Sequence, residues 1–335
     1  MRVTEKDRAV DASKMQSTRI DQSDTADSKD RSVAVLMCTY NGADYLREQL
    51  DSIGAQTFDG WTLYVSDDGS TDATLEVLSE YQLKWGQHRV LIFDGPRKGF
   101  AENFISLVRR EQVKGTYFAF SDQDDIWFTD KLERSITCLE SLVGSDPALY
   151  CSRTRLVDSA RNVLGVSPLF SRAPAFENAL VQSIAGANTM VINQPARDLL
   201  MRLPENMPLV AHDWLAYILV SGSGGKVVYD ARPTLDYRQH SGNLIGANAT
   251  FVEKLRRLKG MLSGRFARWN DANLTVLNAM APLLSEQSRR ILADFDSARS
   301  AGFFKRLASL RRAGVYRQTT RDNVILLVAA CLGRI

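Results

Sequence analysis

The chain is punctuated by short apolar runs, each ending abruptly in a polar cluster. Val33–Cys38 is unbroken apolar sequence, the pattern of a strand covered on both faces, and Thr39-Tyr-Asn-Gly42 follows it directly. Leu46, Leu50 and Ile53 then recur at i, i+4 and i+7, which predicts a helix. The unit repeats. A strand at Trp61–Ser66 leads to the turn Asp67–Asp72 and a helix striped by Leu75, Leu78 and Tyr81. A strand at Val90–Phe93 leads to the loop Asp94–Gly99 and a helix carrying Phe104, Leu107 and Val108, before a strand at Tyr117–Phe120. Strands alternating with helices at this spacing predict an α/β fold with a parallel sheet. Further on, Leu132, Ile136, Leu139 and Val143 mark a helix, Ala148–Cys151 and Asn188–Ile192 strands, His212–Val220 a helix, and Lys226–Tyr229 and Thr234–Arg238 short strands. After about Asn248 the pattern is helical, with basic clusters at Lys254–Lys259 and Lys305–Arg312.

Composition adds limits. Residues 1–31 are polar and aperiodic and read as a disordered leader without the apolar core of a signal peptide. The longest apolar run, Val324–Leu332, is too short to span a bilayer. The four cysteines form no CxxC or Cys/His cluster, which argues against zinc ribbons, redox motifs and disulfide scaffolds and fits a reducing, cytoplasmic setting. The net charge of +3 hides an asymmetry, because residues 251–335 hold 16 Lys/Arg against 6 Asp/Glu. A basic tail on an acidic body points to an anionic partner.

In an open parallel sheet, ligands bind at the carboxyl ends of the strands. Thr39-Tyr-Asn-Gly42, Asp67-Asp-Gly-Ser70 and Ser121-Asp-Gln-Asp-Asp125 stand at three such ends. Neither a dinucleotide glycine fingerprint nor a P-loop occurs, so a bound diphosphate needs another source of positive charge. Asp122 and Asp124, with Asp125 beside them, offer carboxylates of the kind that hold Mg²⁺ or Mn²⁺ together with phosphate oxygens. Asp67 and Asp68 serve equally as a turn and helix cap or as acceptors for a base N–H.

Taken in order, Thr39-Tyr-Asn-Gly, Asp67-Asp-Gly-Ser-Thr-Asp, Asp122-Gln-Asp-Asp-Ile-Trp and His212-Asp-Trp resemble family 2 glycosyltransferases with the GT-A fold. The resemblance runs from about Val33 to Asn243. With Tyr237-Arg-Gln-His-Ser-Gly-Asn243 it is similar to the bacterial branch that makes O-antigen and capsular polysaccharides, rhamnosyltransferases among them. It implies a Rossmann-like, mostly parallel mixed sheet flanked by helices over residues 32–248, and a basic helical extension over 249–335. It further implies that Thr39, Tyr40, Asn41, Asp67 or Asp68, Arg97 and Asp122 line the nucleotide pocket, with Asp122 at the ribose or the metal. Asp124 and His240 would hold the metal. Arg238, His212 and Trp214 would meet the diphosphate or the acceptor, and Gly186-Ala-Asn-Thr-Met190 would border the acceptor side. Lys98 falls beside Arg97 in the same loop, and Asn103 reads either as a helix-surface residue or as one that reaches the same pocket. Asp213, in a His-Asp pair at a helix start, matches the family's general base, and one base suffices for transfer with inversion.

The implied reaction moves a sugar from a dTDP- or UDP-linked donor to a polyprenyl-linked oligosaccharide. Phe303, Phe304, Leu307 and Leu310, interleaved with Lys305, Arg306, Arg311 and Arg312, predict an amphipathic basic helix on the inner face of the cell membrane. Nucleic acid is not expected, since no reader motif or aromatic stacking array accompanies the basic residues. Two other readings share these features: a metal-dependent sugar nucleotidyltransferase, which would want a glycine-rich basic triphosphate loop, and a nucleotide-sugar-binding module without catalysis.

Overall fold

The structure, a computed structural model, describes residues 31–142, 144–240 and 264–335. The leader up to residue 30, Val143, Ser241–Asn243, the boundary at 248 and the Lys254–Lys259 cluster lie outside the described residues.

β1 (Val33–Thr39) is buried along its whole length and splits the core by the two-residue period of a strand. Val33, Val35 and Met37 face α1 (Ala43–Gly54) and α2 (Thr74–Trp85). Ala34, Leu36 and Cys38 face α3 (Phe100–Arg109). Parallel pairing sets β2 (Trp61–Asp67) beside β1, then β3 (Val90–Asp94) beyond it, while β4 (Tyr117–Ser121) pairs with the other edge of β1. In register, Thr39 stands opposite Asp67 and Asp67 opposite Asp94, so three polar loops leave the sheet at one level.

Past β4 come β5 (Ile126–Trp127), α4 (Lys131–Glu140), β6 (Ala148–Ser152), β7 (Arg155–Val157), β8 (Val163–Val166) and α5 (Phe176–Ala179). They are followed by β9 (Val191–Asn193), α6 (Gln194–Met201), α7 (His212–Gly222), β10 (Lys226–Asp230) and β11 (Leu235–Arg238). The main sheet runs β10-β6-β9-β4-β1-β2-β3, and only β9 is antiparallel to its neighbours. The expected mostly parallel mixed sheet with flanking helices is present. A second sheet, β5-β11-β7-β8, was not anticipated: β11 matches the expected strand at Thr234–Arg238, but β5, β7 and β8 are two to four residues long and fall below the length at which alternation reads.

Three expectations are corrected. Leu75 is exposed, and the buried stripe of α2 is Thr74, Val77, Leu78 and Tyr81. The run from Asn188 opens as a single 3-10 turn, Ala187–Thr189, and becomes strand only at Val191. Asn103 is 1% exposed, with its amide bonded to the Ser66 carbonyl (2.9 Å) and its oxygen accepting from the Ser66 hydroxyl (2.6 Å).

The C-terminal helices are α8 (Arg265–Ala279), α9 (Glu286–Ser300), α10 (Phe303–Ala313) and α11 (Thr320–Cys331). Phe266, Leu277, Phe295, Leu310 and Leu326 from them join the core cluster that contains Leu36 and Phe104. Among the described residues no helix is long and apolar enough to cross a membrane.

Candidate functional site

The loops after β1, β2 and β4 are sewn together by polar side chains. Gln123 bonds twice to the Tyr40 backbone, its Oε1 accepting from the amide (2.9 Å) and its Nε2 donating to the carbonyl (3.1 Å). A Cβ at position 42 would fall 2.2 Å from Gln123 Oε1, so this approach requires Gly42. Asn41 adopts a φ of 46° and accepts from the Thr71 amide (2.8 Å), while the Asn41 amide donates to Ser70 Oγ (2.9 Å). Asp72 accepts from the Thr74 hydroxyl (2.5 Å) and from the amides of Ala43 (3.1 Å) and Thr74 (3.0 Å), and these bonds, the hydroxyl's first, keep its carboxyl below the usual range despite burial.

The adjacent aspartates separate into two roles. Asp67 is saturated by its own turn and the end of β1, accepting from Thr39 Oγ1 (2.8 Å), the Gly69 and Ser70 amides (3.1 and 2.8 Å) and Ser70 Oγ (2.6 Å). Asp68 faces the cleft and fixes the β3–α3 loop through the amides of Arg97 (2.6 Å) and Gly99 (2.8 Å). Arg97 lines the same cleft, whereas Lys98 is exposed.

The Asp124/Asp125 pair divides likewise. Asp125 is fully buried, accepting from Asn188 Nδ2 (2.6 Å), and burial followed by the charges of Asp124 and Asp122 pushes its carboxyl well up. Asp124 lines the cleft, with Oδ2 lying 2.8 Å from His240 Nε2. Asp122 lines it too; burial first, then Asp124 and Asp213, raises its pKa to about 7. These carboxylates crowd more negative charge into one place than solvent relieves. One carboxylate and one imidazole in contact suit a divalent ion that completes its shell with water and phosphate, so the residues fit Mg²⁺ or Mn²⁺. Among the described residues no group of three or more His, Cys, Asp or Glu forms a full cage.

β9 explains the opposite wall. Because it runs against β4, with Val191 opposite Ala119, the segment before it lies over the carboxyl end of β4. Gly186, Ala187 and Asn188 therefore line the cleft, which has a volume of about 1060 Å³. α7 delivers Asp213 from beyond them. Its N-cap is Ala211, so Asp213 sits in the first helical turn and is not the cap. Burial lifts its pKa to about 6, against the opposing bonds from the Trp214 and Ala187 amides and its own.

Two of the residues expected at the diphosphate or the acceptor spend their polar groups on the protein itself, and the third lines the cleft without charge. Trp214 is 6% exposed and donates Nε1 to the Ala179 carbonyl (2.7 Å), an anchor in the core. Arg238 is 1% exposed and clamps the protein itself, donating to the Asp124 carbonyl (3.1 Å), the Ser159 carbonyl (3.0 Å) and Glu48 (3.0 Å). His212 does line the cleft, yet it stacks on Phe104 (4.0 Å between centroids), and burial holds its pKa down at about 3. It is a neutral aromatic wall and supplies no cation to a diphosphate.

Sequence reasoning assigned no role to Gln123, Glu48 or Lys131. Lys131 is fully buried beneath the acidic loop, donating Nζ to the Asn188 carbonyl (2.5 Å) and lying 4.4 Å over the Trp127 ring. Burial, against the pull of Asp125 and Asp122, brings its pKa down to about 7. The available signal was a lysine on the apolar side of a helix, beside Leu132 and one turn before buried Ser135. Lys131→Met is expected to lower the unfolding free energy by about 2 kcal/mol, since it strands the buried Asn188 carbonyl. Urea unfolding would register this as a lower midpoint at unchanged slope.

Comparison with known proteins now bears on this cleft. The family described as glycosyl transferase family 2 matches residues 34–153. The chain is 31% identical over 259 residues to dTDP-rhamnosyl transferase RfbG of Shigella flexneri, covering 73% of this chain and 84% of that protein. It is 29% identical over 166 residues to the putative teichuronic acid biosynthesis glycosyltransferase TuaG of Bacillus subtilis, covering 48% of this chain and 62% of that one. Among solved structures, S. aureus TarS 1–349 in complex with UDP-GlcNAc superposes with a TM-score of 0.52 at 16% identity, covering 85% and 93% of the two chains. That likeness carries the fold, which is GT-A.

Proposed function

The chain belongs to glycosyl transferase family 2 and is a hexosyltransferase, and from that premise we propose an inverting transfer of rhamnose from a dTDP donor to a lipid-linked, growing surface polysaccharide. The observation that carries this reading is a carboxylate, Asp213, that lines the same cleft as Asp122 and Asp124 from a different element, α7, with its pKa raised to about 6. The name of the Shigella relative supports the donor, and that of TuaG supports a cell-surface polymer.

Thr39, Tyr40, Asn41 and Asp68 hold the nucleoside, and Arg97 lies where it meets base or phosphate. Asp124 and His240 hold a divalent cation, Mg²⁺ or Mn²⁺, which when bound offsets the charge of the leaving diphosphate. Asp213 accepts the proton of the acceptor hydroxyl as that oxygen bonds to the anomeric carbon and the bond to the diphosphate breaks. The neutral His212–Phe104 wall keeps water and charge away from the sugar beside it. The basic C-terminal helices place the enzyme on the cytoplasmic face of the membrane, where a polyprenyl-linked acceptor lies.

Calorimetric titration with dTDP, UDP and GDP tests the donor. Binding of dTDP that tightens with Mn²⁺ is expected, and failure of all three to bind would remove the nucleotide-sugar reading. A pH profile tests the base. Protonated Asp213 cannot take a proton, so kcat/KM should fall as pH drops through about 6, with one such limb from this residue. A flat profile from about one pH unit below that value to one above would argue against it.

A further inference from the structure

The sequence pattern places an apolar face on α10 with Leu307 and Leu310, but in the structure Leu310 is in the core and Leu307 packs against it. The apolar side chains left in solvent are different ones. Phe303 is exposed and Phe304 is 85% exposed at the start of α10, and Val324, Leu327, Val328 and Leu332 are exposed along and just past α11. The latter four fall at i, i+3, i+4 and i+8, one helical face, opposite the buried Leu326, Ala329 and Ala330. The two helices meet at this end. Arg306 Nη1 donates to the Ala330 carbonyl (3.1 Å), and its guanidinium lies 3.1 to 3.3 Å from where a Cβ on Gly333 would be. Phe303 and Phe304 therefore stand beside the Leu332 end of α11.

Charge decides what covers this ridge. Residues 303–335 hold seven Lys/Arg against one Asp/Glu. Lys305, Arg311 and Arg321 are exposed and, among the described residues, belong to no ion pair. A second copy meeting the face symmetrically would press two cationic surfaces together. A phosphate backbone would satisfy the cations and leave the aliphatic ridge in water. A bilayer with anionic headgroups satisfies both, the apolar groups entering the acyl boundary and the cations meeting phosphate.

We propose that the α10–α11 face is a docking surface for anionic lipid, with Phe303, Phe304 and the Val324–Leu332 stripe inserted and Lys305, Arg311 and Arg321 at the headgroups. This deepens the membrane-associated part of the proposed function and rests on it. Co-sedimentation of the full chain with vesicles tests it, comparing phosphatidylcholine alone with phosphatidylcholine plus phosphatidylglycerol. Binding is expected only with phosphatidylglycerol, weakened by salt, and reduced about tenfold by Phe304→Asp and by the pair Lys305→Glu and Arg321→Glu. These side chains are exposed, so the variants keep the fold, which an unchanged circular dichroism spectrum and thermal midpoint in lipid-free solution confirm. Equal binding to both vesicles, no binding, or undiminished binding of the variants would overturn the proposal. So would a concentration-dependent dimer that Phe304→Asp dissolves, which would assign the ridge to a second copy. Vesicle binding without any nucleotide binding would sink the transferase donor reading and leave the docking surface standing.

Discussion

Asp213→Asn binds dTDP and Mn²⁺ as the parent does but loses transfer by about 1,000-fold in kcat, the range of a positioned general base. The substitution is nearly isosteric, and the oxygen that accepts the Trp214 amide (2.7 Å) has a counterpart in asparagine, so the first turn of α7 keeps its shape. What disappears is the site able to hold the acceptor's proton. The acid limb near pH 6 that Asp213 contributes should vanish with it, leaving a low residue of activity. Single-turnover transfer from labelled donor, together with calorimetry on the same preparation, separates the two effects. Turnover within tenfold of the parent would move the base to another carboxylate. Loss of dTDP binding would mean that Asp213 serves the donor.

Asp124→Asn is expected to act on the other side of the reaction. It removes the charged half of the Asp124–His240 pair, and dTDP affinity in Mn²⁺ should fall by about 100-fold or more, a first ligand counting for at least as much as the outer-shell partners that cost 10- to 100-fold. Affinity without metal should change little. Calorimetry with and without Mn²⁺ reads this difference directly, and an unchanged metal response would detach the ion from Asp124. Asp125→Asn provides the contrast. Asp125 is buried and bonded to Asn188, so its replacement should be felt chiefly in stability.

The strands and their polar ends were legible because each is a continuous apolar run stopped by residues that cannot continue it. Val33–Cys38 and Tyr117–Phe120 are examples, and both landed within a residue of their observed ends. The candidate site was legible as far as one-dimensional order reaches: Thr39, Asp68, Asp122, Asp124 and Asp213 all line one cleft. Sequence could not decide between neighbours in a pair. Asp67 and Asp68 differ only in which face of a strand end they meet, and a shift of one residue exchanges solvent for core. Arg238 illustrates the other failure. An arginine near a phosphate motif reads as a ligand, but its partners, Glu48, Ser159 and the Asp124 carbonyl, lie far apart in sequence and converge only after folding. Trp214 and Lys131 were misjudged or missed for the same reason, since the groups that claim their polar atoms are backbone carbonyls, of Ala179 and Asn188, without a sequence signature.

The reversed strand β9 carries one more consequence, for divergence within such a family. Asn188 bonds Asp125, Lys131 bonds Asn188, and the Ala187 amide bonds Asp213, so the wall ahead of β9 is joined to the acidic loop on one side and to α7 on the other. A substitution in this wall is transmitted to both reactants' sides at once. Segments 186–190 and 122–131 should therefore exchange between relatives only as a matched set, and grafting either alone should damage activity with both substrates. New specificities would arise more readily on the β7–β8 hairpin, whose outer strand is largely exposed and where a change disturbs few internal bonds.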